Sequence, residues 1–319
     1  MKWNEIVGQT AAKRTINFWL DSFAVTGIMP HQLYVAPRGI GKTTIAQAAG
    51  MEMKEKFRSL NGGEKKLFTI NCASIKNLKQ FWDGIAMPIL NDRDCTILFD
   101  EASELPIQVT MALLTMINPN ENNRNEYTFE DFTLDIDFKR QSFMFATTEA
   151  HKLFHALKDR CNRIDLVDYT ADELSQIMQK NAPQVNFESP AMMLEIASTL
   201  RGNARQAAMR AKDIERYMAT QKGSKFKAKD WAYLTYVLDI KPLGLSPLEL
   251  SALNILSRQT DCSLNRLAAG LALSPQAVQR DIEVYLQRLS LMEVTTGGRN
   301  ITGAGQDYLK QLNKKVDLS

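Results

Sequence analysis

The sequence predicts an α/β fold: a three-layer domain built on a parallel sheet, followed by a small helical lid domain and a C-terminal winged helix. Three observations predict it. Through the first 170 residues short apolar runs alternate with longer amphipathic ones. From Tyr169 onward the pattern turns helical only. Pro242, Gly244 and Pro247 then form a breaker cluster, beyond which come three short helices and a hairpin. A chain of 319 residues suits two or three domains, with boundaries expected at 1–168, 169–240 and 241–319.

Taken in order, Thr10 to Phe23 places Ala12, Ile16, Leu20 and Phe23 on one helical face. Strands are expected at Gln32 to Ala36, Leu67 to Asn71, Thr96 to Asp100, Ser142 to Thr147 and Ile164 to Val167. Pro106 suits the first turn of a helix carrying Val109, Leu113 and Met116. Thr170 and Glu173 have the spacing of a capping box, and helices follow near Ser189 to Leu200, Asn203 to Met218 and Ala228 to Val237. The last domain reads as helices Leu248 to Ser257, Ser263 to Leu271 and one opened by Ser274-Pro275. A strand Leu291 to Thr295, a turn Thr296 to Asn300 and the return Ile301-Thr302 then lead to a final helix.

The segment from Asn118 to Gln141 is longer than a crossover needs. Phe132, Leu134, Ile136 and Phe138 alternate with polar residues, while Tyr127 and Phe129 alternate in the opposite phase. A bulge or turn is therefore expected at Glu130-Asp131, with Asn120 to Asn125 supplying a hairpin tip. Such a hairpin either projects its apolar face toward a partner or packs on its own domain.

Composition excludes several classes. Hydrophobic residues make up 45% and charged ones 24%, which is neither a disordered nor a collagenous balance. No run of 18 uncharged apolar residues and no signal-peptide core occur, so a cytoplasmic protein without a membrane segment is expected. The cysteines, Cys72, Cys95, Cys161 and Cys262, are far apart and suggest neither a disulfide framework nor a zinc site. Net charge is +3, but residues 1–200 carry 21 basic and 25 acidic groups against 18 and 11 in the remainder. That C-terminal basic excess is compatible with a polyanion contact or with a solvated basic surface.

The strand at Gln32 runs into Ala36-Pro37-Arg38-Gly39-Ile40-Gly41-Lys42-Thr43-Thr44 and then an Ala-rich helix, the context a P-loop requires. Gly39 and Gly41 let backbone N–H groups curl around phosphate, Lys42 reaches the β and γ oxygens of ATP, and Thr43 offers a hydroxyl to Mg²⁺. About 55 residues on, the apolar run Cys95 to Phe99 delivers Asp100-Glu101 at a strand's carboxyl end, where α/β sheets bind ligands. Asp100 is expected to hold Mg²⁺ and Glu101 to orient and deprotonate the attacking water.

With these motifs in order, then Ala146-Thr147-Thr148, Leu157-Lys158-Asp159-Arg160 and Gly202-Asn203-Ala204-Arg205, the chain resembles the AAA+ ATPases. More closely, it resembles the RuvB family of Holliday-junction branch-migration motors over nearly its whole length. Glu5-Ile6-Val7-Gly8-Gln9 and the terminal Gly298-Arg299 belong to the same match. The resemblance implies that Ile6 and Val7 line the adenine pocket, that Thr147 acts as sensor 1 near the γ-phosphate and that Arg205 is sensor 2. Arg160 would be an arginine finger supplied to a neighbouring subunit of a ring, expected to be a hexamer. Its hairpin would dock a RuvA-like junction-binding protein through residues 118–141. Read from the residues alone, Arg160 also suits a surface charge and Thr147 a strand-end cap. The chain departs from the family at Ala36, Arg38, Lys158 and Ala204, and the usual segment upstream of Gly8-Gln9 is expected to be missing.

In the winged helix, Val278, Ile282, Leu286 and Leu289 are expected inward, and Gln276, Gln279, Arg280, Glu283 and Gln287 outward. Arg299 in the wing, with Arg280 nearby, would meet the backbone of double-stranded or four-way-junction DNA without base readout. A winged helix used for protein docking fits the same sequence, since this domain has 9 basic against 7 acidic residues. A clamp-loader-like or initiator-like switch is the competing function, favoured by Asp159-Arg160-Cys161 and opposed by the wing.

Overall fold

Helix α1 (Thr10–Thr26) buries Ala12, Ile16, Leu20 and Phe23, the stripe its spacing predicts. The computed structural model describes residues 2–221 and 225–316, in two compact units, Met1–Lys227 and Ala228–Ser319. In the first unit β1 (Gln32–Val35), α2 (Lys42–Asn61), β2 (Lys66–Asn71) and α3 (Leu78–Phe81) follow. A π-helical stretch, Trp82–Leu90, leads to β3 (Cys95–Asp100) and α4 (Ile107–Met116). The hairpin β4 (Arg124–Phe129) and β5 (Phe132–Asp137) precedes β6 (Gln141–Thr147), α5 (His155–Asp159) and β7 (Asn162–Asp165).

Five strands form one sheet in the order β2-β3-β6-β1-β7, all pairs parallel. The central strands β3 and β6 are buried along almost their whole length, which is why both read as continuous apolar runs rather than alternating ones. Because β6 lies between β1 and β3, Val35 pairs with Thr147 and Asp100 with Ala146. The carboxyl ends of three strands therefore open at one level, each feeding a different loop.

The hairpin turns where the sequence placed a bulge or turn, at Glu130-Asp131, with Phe129 opposite Phe132. The asparagine-rich segment is not its tip, as had been expected, but its base. There Asn125 Nδ2 donates to the carbonyls of Met116 and Asn118, and Asn120 Nδ2 donates to Arg124 O. Of the two arrangements open for the hairpin, the structure shows the packed one. Leu134 and Ile136 are fully buried, and Tyr127 and Phe129 lie 5.7 and 5.5 Å from the Trp82 ring. Phe132, at the turn, remains 58% exposed. Phe138 packs edge-on against His31, whose burial pushes its imidazole down to about 4, so the ring stays neutral and packs as an aromatic.

Helix α6 (Ala171–Asn181) opens with the predicted capping box: Glu173 N donates to Thr170 Oγ1 and Thr170 N to Glu173 Oε2. Such caps contribute about 1 kcal/mol each. Ser189 caps α7 (Pro190–Ser198) and Asn203 caps α8 (Ala204–Thr220). Phe226 closes this helical layer, its ring edge-on to Phe187 and Tyr217.

The second unit begins at α9 (Ala228–Val237), a helix that the sequence reading placed with the preceding lid. Then come α10 (Pro247–Leu256), α11 (Leu264–Leu271) and a third helix made of α12 (Pro275–Ala277), a π-helical stretch Val278–Glu283 and α13 (Val284–Arg288). Strands β8 (Met292–Val294) and β9 (Arg299–Ile301) pair antiparallel ahead of α14 (Gly303–Val316). Leu253, Leu267, Val278, Leu286 and Met292 form the core. All four cysteines are free, and burial pushes the Cys95 thiol up to about 11. Among the described residues no helix is long and apolar enough to cross a membrane.

Candidate active site and nucleic-acid interface

A cleft of about 500 Å³ lies in the first unit, walled by the loop after β1, the end of β3, the N-terminal segment and the helices α6 and α8. Gly39, Gly41, Lys42, Thr43, Thr44, Asp100 and Glu101 line its phosphate end, with Arg205 beside them. Ile6 and Val7 line the same cleft. Pro37 and Ile40 are not part of the wall: the Pro37 carbonyl accepts from Lys42, and Ile40 is buried beneath the loop.

Gly39 and Gly41 both take left-handed backbone conformations, at φ +82° and +100°. At Gly39 there is a second constraint, because a Cβ would come 2.3 Å from Asn203 Oδ1. That approach exists because the start of α8 is bonded to the loop. Asn203 Nδ2 donates to Arg38 O at 2.9 Å and Arg205 N to Gly39 O at 3.0 Å, while Asn203 Oδ1 accepts the Gln206 N–H as the helix cap. The lid segment and the phosphate loop are thus held together by main-chain acceptors on the loop.

Lys42 Nζ is buried and donates to Ala36 O at 2.9 Å and Pro37 O at 3.2 Å. Burial pushes its pKa below the usual lysine range, against the pull of the Glu101 and Asp100 carboxylates. Thr43 Oγ1 donates to Asp100 Oδ2 at 2.8 Å, and Glu101 N donates to Asp100 Oδ1 at 3.1 Å. A hydroxyl beside a carboxylate in a cleft otherwise rich in N–H donors is the hard-oxygen set that suits Mg²⁺ held jointly with phosphate. Glu101 sits at φ +53°, a conformation that costs a non-glycine residue about 1–2 kcal/mol. That strain belongs to the turn that ends β3 against the cleft.

Two expected residues do not join the wall. Thr147 is fully buried and its Oγ1 accepts the Glu149 N–H at 3.0 Å, capping the strand end with its own O–H not used by that bond. Arg160 stands outside its own cleft. Its Nη1 donates to Ala156 O and its Nη2 to Asn118 Oδ1, both at 2.9 Å.

Several wall residues carry no local motif and escaped sequence reasoning: Tyr169, Ile177, Lys180 and Asn181. The last three share one face of α6, a spacing that would have flagged them had the helix been known to cover the loop. Gly8-Gln9 gains a physical meaning here. Gln9 pairs with the backbone of Val167 through both its amide atoms, Nε2 to Val167 O and Val167 N to Oε1. This fixes the N-terminal segment against the β7 exit that leads to Tyr169.

In the second unit the expected roles of two residues are reversed. Glu283 was expected outward and Arg299 free in the wing; instead Glu283 is buried and Arg299 Nε donates to its Oε1 at 2.8 Å. The side chains are 5% and 15% exposed, so the pair is internal. The π-helical stretch Val278–Glu283 widens the turn and rotates Glu283 onto the inner face. Arg299 also pairs through its backbone with Cys262. Gly298, at φ +153°, admits no side chain, since a Cβ would lie 2.5 Å from the Asp261 backbone. The wing turn itself exposes Thr295, Thr296 and Gly297, all uncharged. Arg280 is exposed beside Asp281, to which it donates two hydrogen bonds.

Arg299→Ala is therefore expected to destabilise the winged helix by about 3 kcal/mol, because it strands a buried carboxylate. The paired replacement Glu283→Leu with Arg299→Met is expected to recover most of that loss in thermal unfolding. Equal unfolding temperatures for Arg299→Ala and the unaltered protein would return Arg299 to the surface.

A parallel sheet of this order with a glycine-rich loop, an acidic pair and an overhanging helical layer defines a P-loop ATPase of the AAA class. Residues 32–169 match the ATPase family associated with various cellular activities, and residues 242–310 match the RuvB C-terminal winged helix domain. The chain thus carries an AAA ATPase domain followed by a RuvB C-terminal winged helix domain. It is 25% identical to the RuvB subunit of the Holliday junction branch migration complex from Neorickettsia sennetsu, over 97% of this chain and 92% of that one. Its fold matches a structure of Thermotoga maritima RuvB, described as a Holliday junction branch migration motor, with a TM-score of 0.72, 23% identity and 95% of each chain covered. A single-residue variant of the same Thermotoga protein matches at 0.74, with 23% identity and 97% of each chain covered.

Proposed function

We propose that the protein is an ATP-driven motor that assembles as a hexameric ring around duplex DNA and moves the branch point of a four-way junction, in the cytoplasm. The observation that carries this reading is the union, along nearly the whole chain, of a complete phosphate cleft with a RuvB C-terminal winged helix. A RuvA-like junction-binding partner would dock through the 118–141 hairpin, where Phe132 is the exposed apolar group for it to cover.

In this proposal ATP lies with its base between Ile6, Val7 and Tyr169 and its phosphates in the Gly39–Gly41 loop. Lys42 leaves the Ala36 and Pro37 carbonyls to pair with the β and γ oxygens. Thr43 and Asp100 would hold Mg²⁺, which when bound neutralises charge building on the transferring phosphoryl group. Glu101 accepts the proton of the attacking water. Arg205 reaches the γ-phosphate from the subunit's own lid, and Arg160 reaches it from the neighbouring subunit. Thr147 Oγ1 accepts the Glu149 N–H, which leaves its O–H to donate toward the γ-phosphate as sensor 1. DNA contact falls to Arg280 and to the hydroxyls and N–H groups of the wing turn, giving sequence-tolerant binding.

The test is ATP turnover measured together with strand products on a synthetic four-way junction and on a primed duplex, with Lys42→Ala as the control. Junction products that require Lys42 are expected. Turnover with no movement of the branch point, with and without a RuvA-like protein, would replace the motor by a loader-like switch.

A further inference from the structure

The guanidinium of Arg160 is held by two contacts of different origin. Ala156 O, in α5, takes one N–H from Nη1, and Asn118 Oδ1, from 42 residues earlier, takes one from Nη2. Nε is buried with no hydrogen-bond partner. One N–H therefore remains on each terminal nitrogen for an anion to meet.

Asn118 is fixed by the hairpin base. Its N–H donates to Thr115 O, and its carbonyl accepts from Asn125 Nδ2 at 2.8 Å and from Asn120 Nδ2 at 3.4 Å. Asn125, in β4, also donates to Met116 O at 3.0 Å, so it bridges the end of α4 and the loop that presents Asn118. A chain of three hydrogen-bonded residues thus runs from the first strand of the hairpin to the arginine.

We propose that Asn118 is the positioning residue of Arg160, aiming its guanidinium at the phosphoryl group in the neighbouring subunit, and that Asn125 holds Asn118 in that position. The inference rests on the proposed role of Arg160 in trans. A free arginine side chain carries much rotamer entropy, and a finger that must meet a charge across a subunit boundary loses rate when that freedom is not removed beforehand. Any partner seated on the hairpin acts on the residue that holds the finger.

The experiment uses the full-length assembled protein with Mg²⁺-ATP and DNA. Asn118→Ala is expected to lower kcat roughly 10- to 100-fold, with KM for ATP and the unfolding temperature unchanged. Asn125→Ala is expected to shift kcat the same way by a smaller factor. Asn118→Asp, isosteric and still an acceptor, retains most of the rate. The defect must also travel with the donated arginine. Asn118→Ala subunits mixed with Glu101→Gln subunits, whose Arg160 is properly held, should regain turnover. Arg160→Ala turning over normally would remove the trans reading itself. Arg160→Ala inactive with Asn118→Ala at the unaltered rate would overturn the positioning role alone, as would an Asn118→Ala loss that mixing does not relieve.

Discussion

Replacing Lys42 with alanine is expected to cut ATP turnover by about 10²- to 10³-fold, the loss typical of removing one charged donor from a preorganised site. The structure explains why the loss should be large and confined to function. Lys42 is buried beside Asp100 and Glu101, and its ammonium donates to two loop carbonyls. Lys42 lines the cleft, so water entering the cleft can take its place on Ala36 O and Pro37 O, and the fold should tolerate the change. The variant should bind nucleotide weakly, unfold at an ordinary temperature and yield no junction products. Unaltered turnover would dissolve the assignment of the cleft, because the other lysine of its lining, Lys180, is engaged with Glu5 through the Glu5 carbonyl and carboxylate.

The parts of this site that were legible in the sequence are those where chemistry and chain proximity coincide. The P-loop is one stretch of nine residues, and Asp100-Glu101 ends a run apolar enough to be recognised as a buried strand. Their meeting follows from β6 lying between β1 and β3, and β6 is itself an unbroken apolar run. Tyr169 and the inner face of α6 were not legible, since they reach the cleft by folding over it and no local spacing announces that.

The misreadings have local causes. An asparagine cluster normally marks a turn, and here it serves a turn's base, using side-chain amides to tie α4 to β4. The tip uses Glu130 at φ +52°, where glycine or asparagine is the usual choice. In the winged helix, a 3.6-residue period assigns Glu283 to the outer face, but the π-helical turn changes the phase just before it. Arg299 was then misread through Glu283, for an arginine at a wing looks like a phosphate contact until its buried carboxylate is known. A strand-end threonine suits both a cap and a sensor, and the Glu149 N–H on Thr147 Oγ1 shows the cap without using the hydroxyl's own proton.

Arg160→Ala is expected to lower turnover by about 10³-fold or more, the contribution of an arginine finger to phosphoryl transfer, although Arg160 touches nothing in its own cleft. Glu101→Gln should be comparably slow for a different reason: its cleft binds ATP but lacks the base. The two defects lie on opposite sides of one interface. An Arg160→Ala subunit keeps a complete cleft and needs an arginine from its neighbour, and a Glu101→Gln subunit keeps that arginine. In a random equal mixture about one interface in four joins a complete cleft to an intact arginine. Turnover of the mixture should rise far above that of either variant alone, and dilution with further Arg160→Ala subunits should lower it again. An arginine acting within its own subunit cannot produce this pattern, since every subunit in the mixture would carry one of the two lesions. A mixture no faster than the mean of its components would therefore move Arg160 from catalysis in trans to a structural role at the Asn118 contact, and the neighbouring subunit would no longer be needed to complete the site.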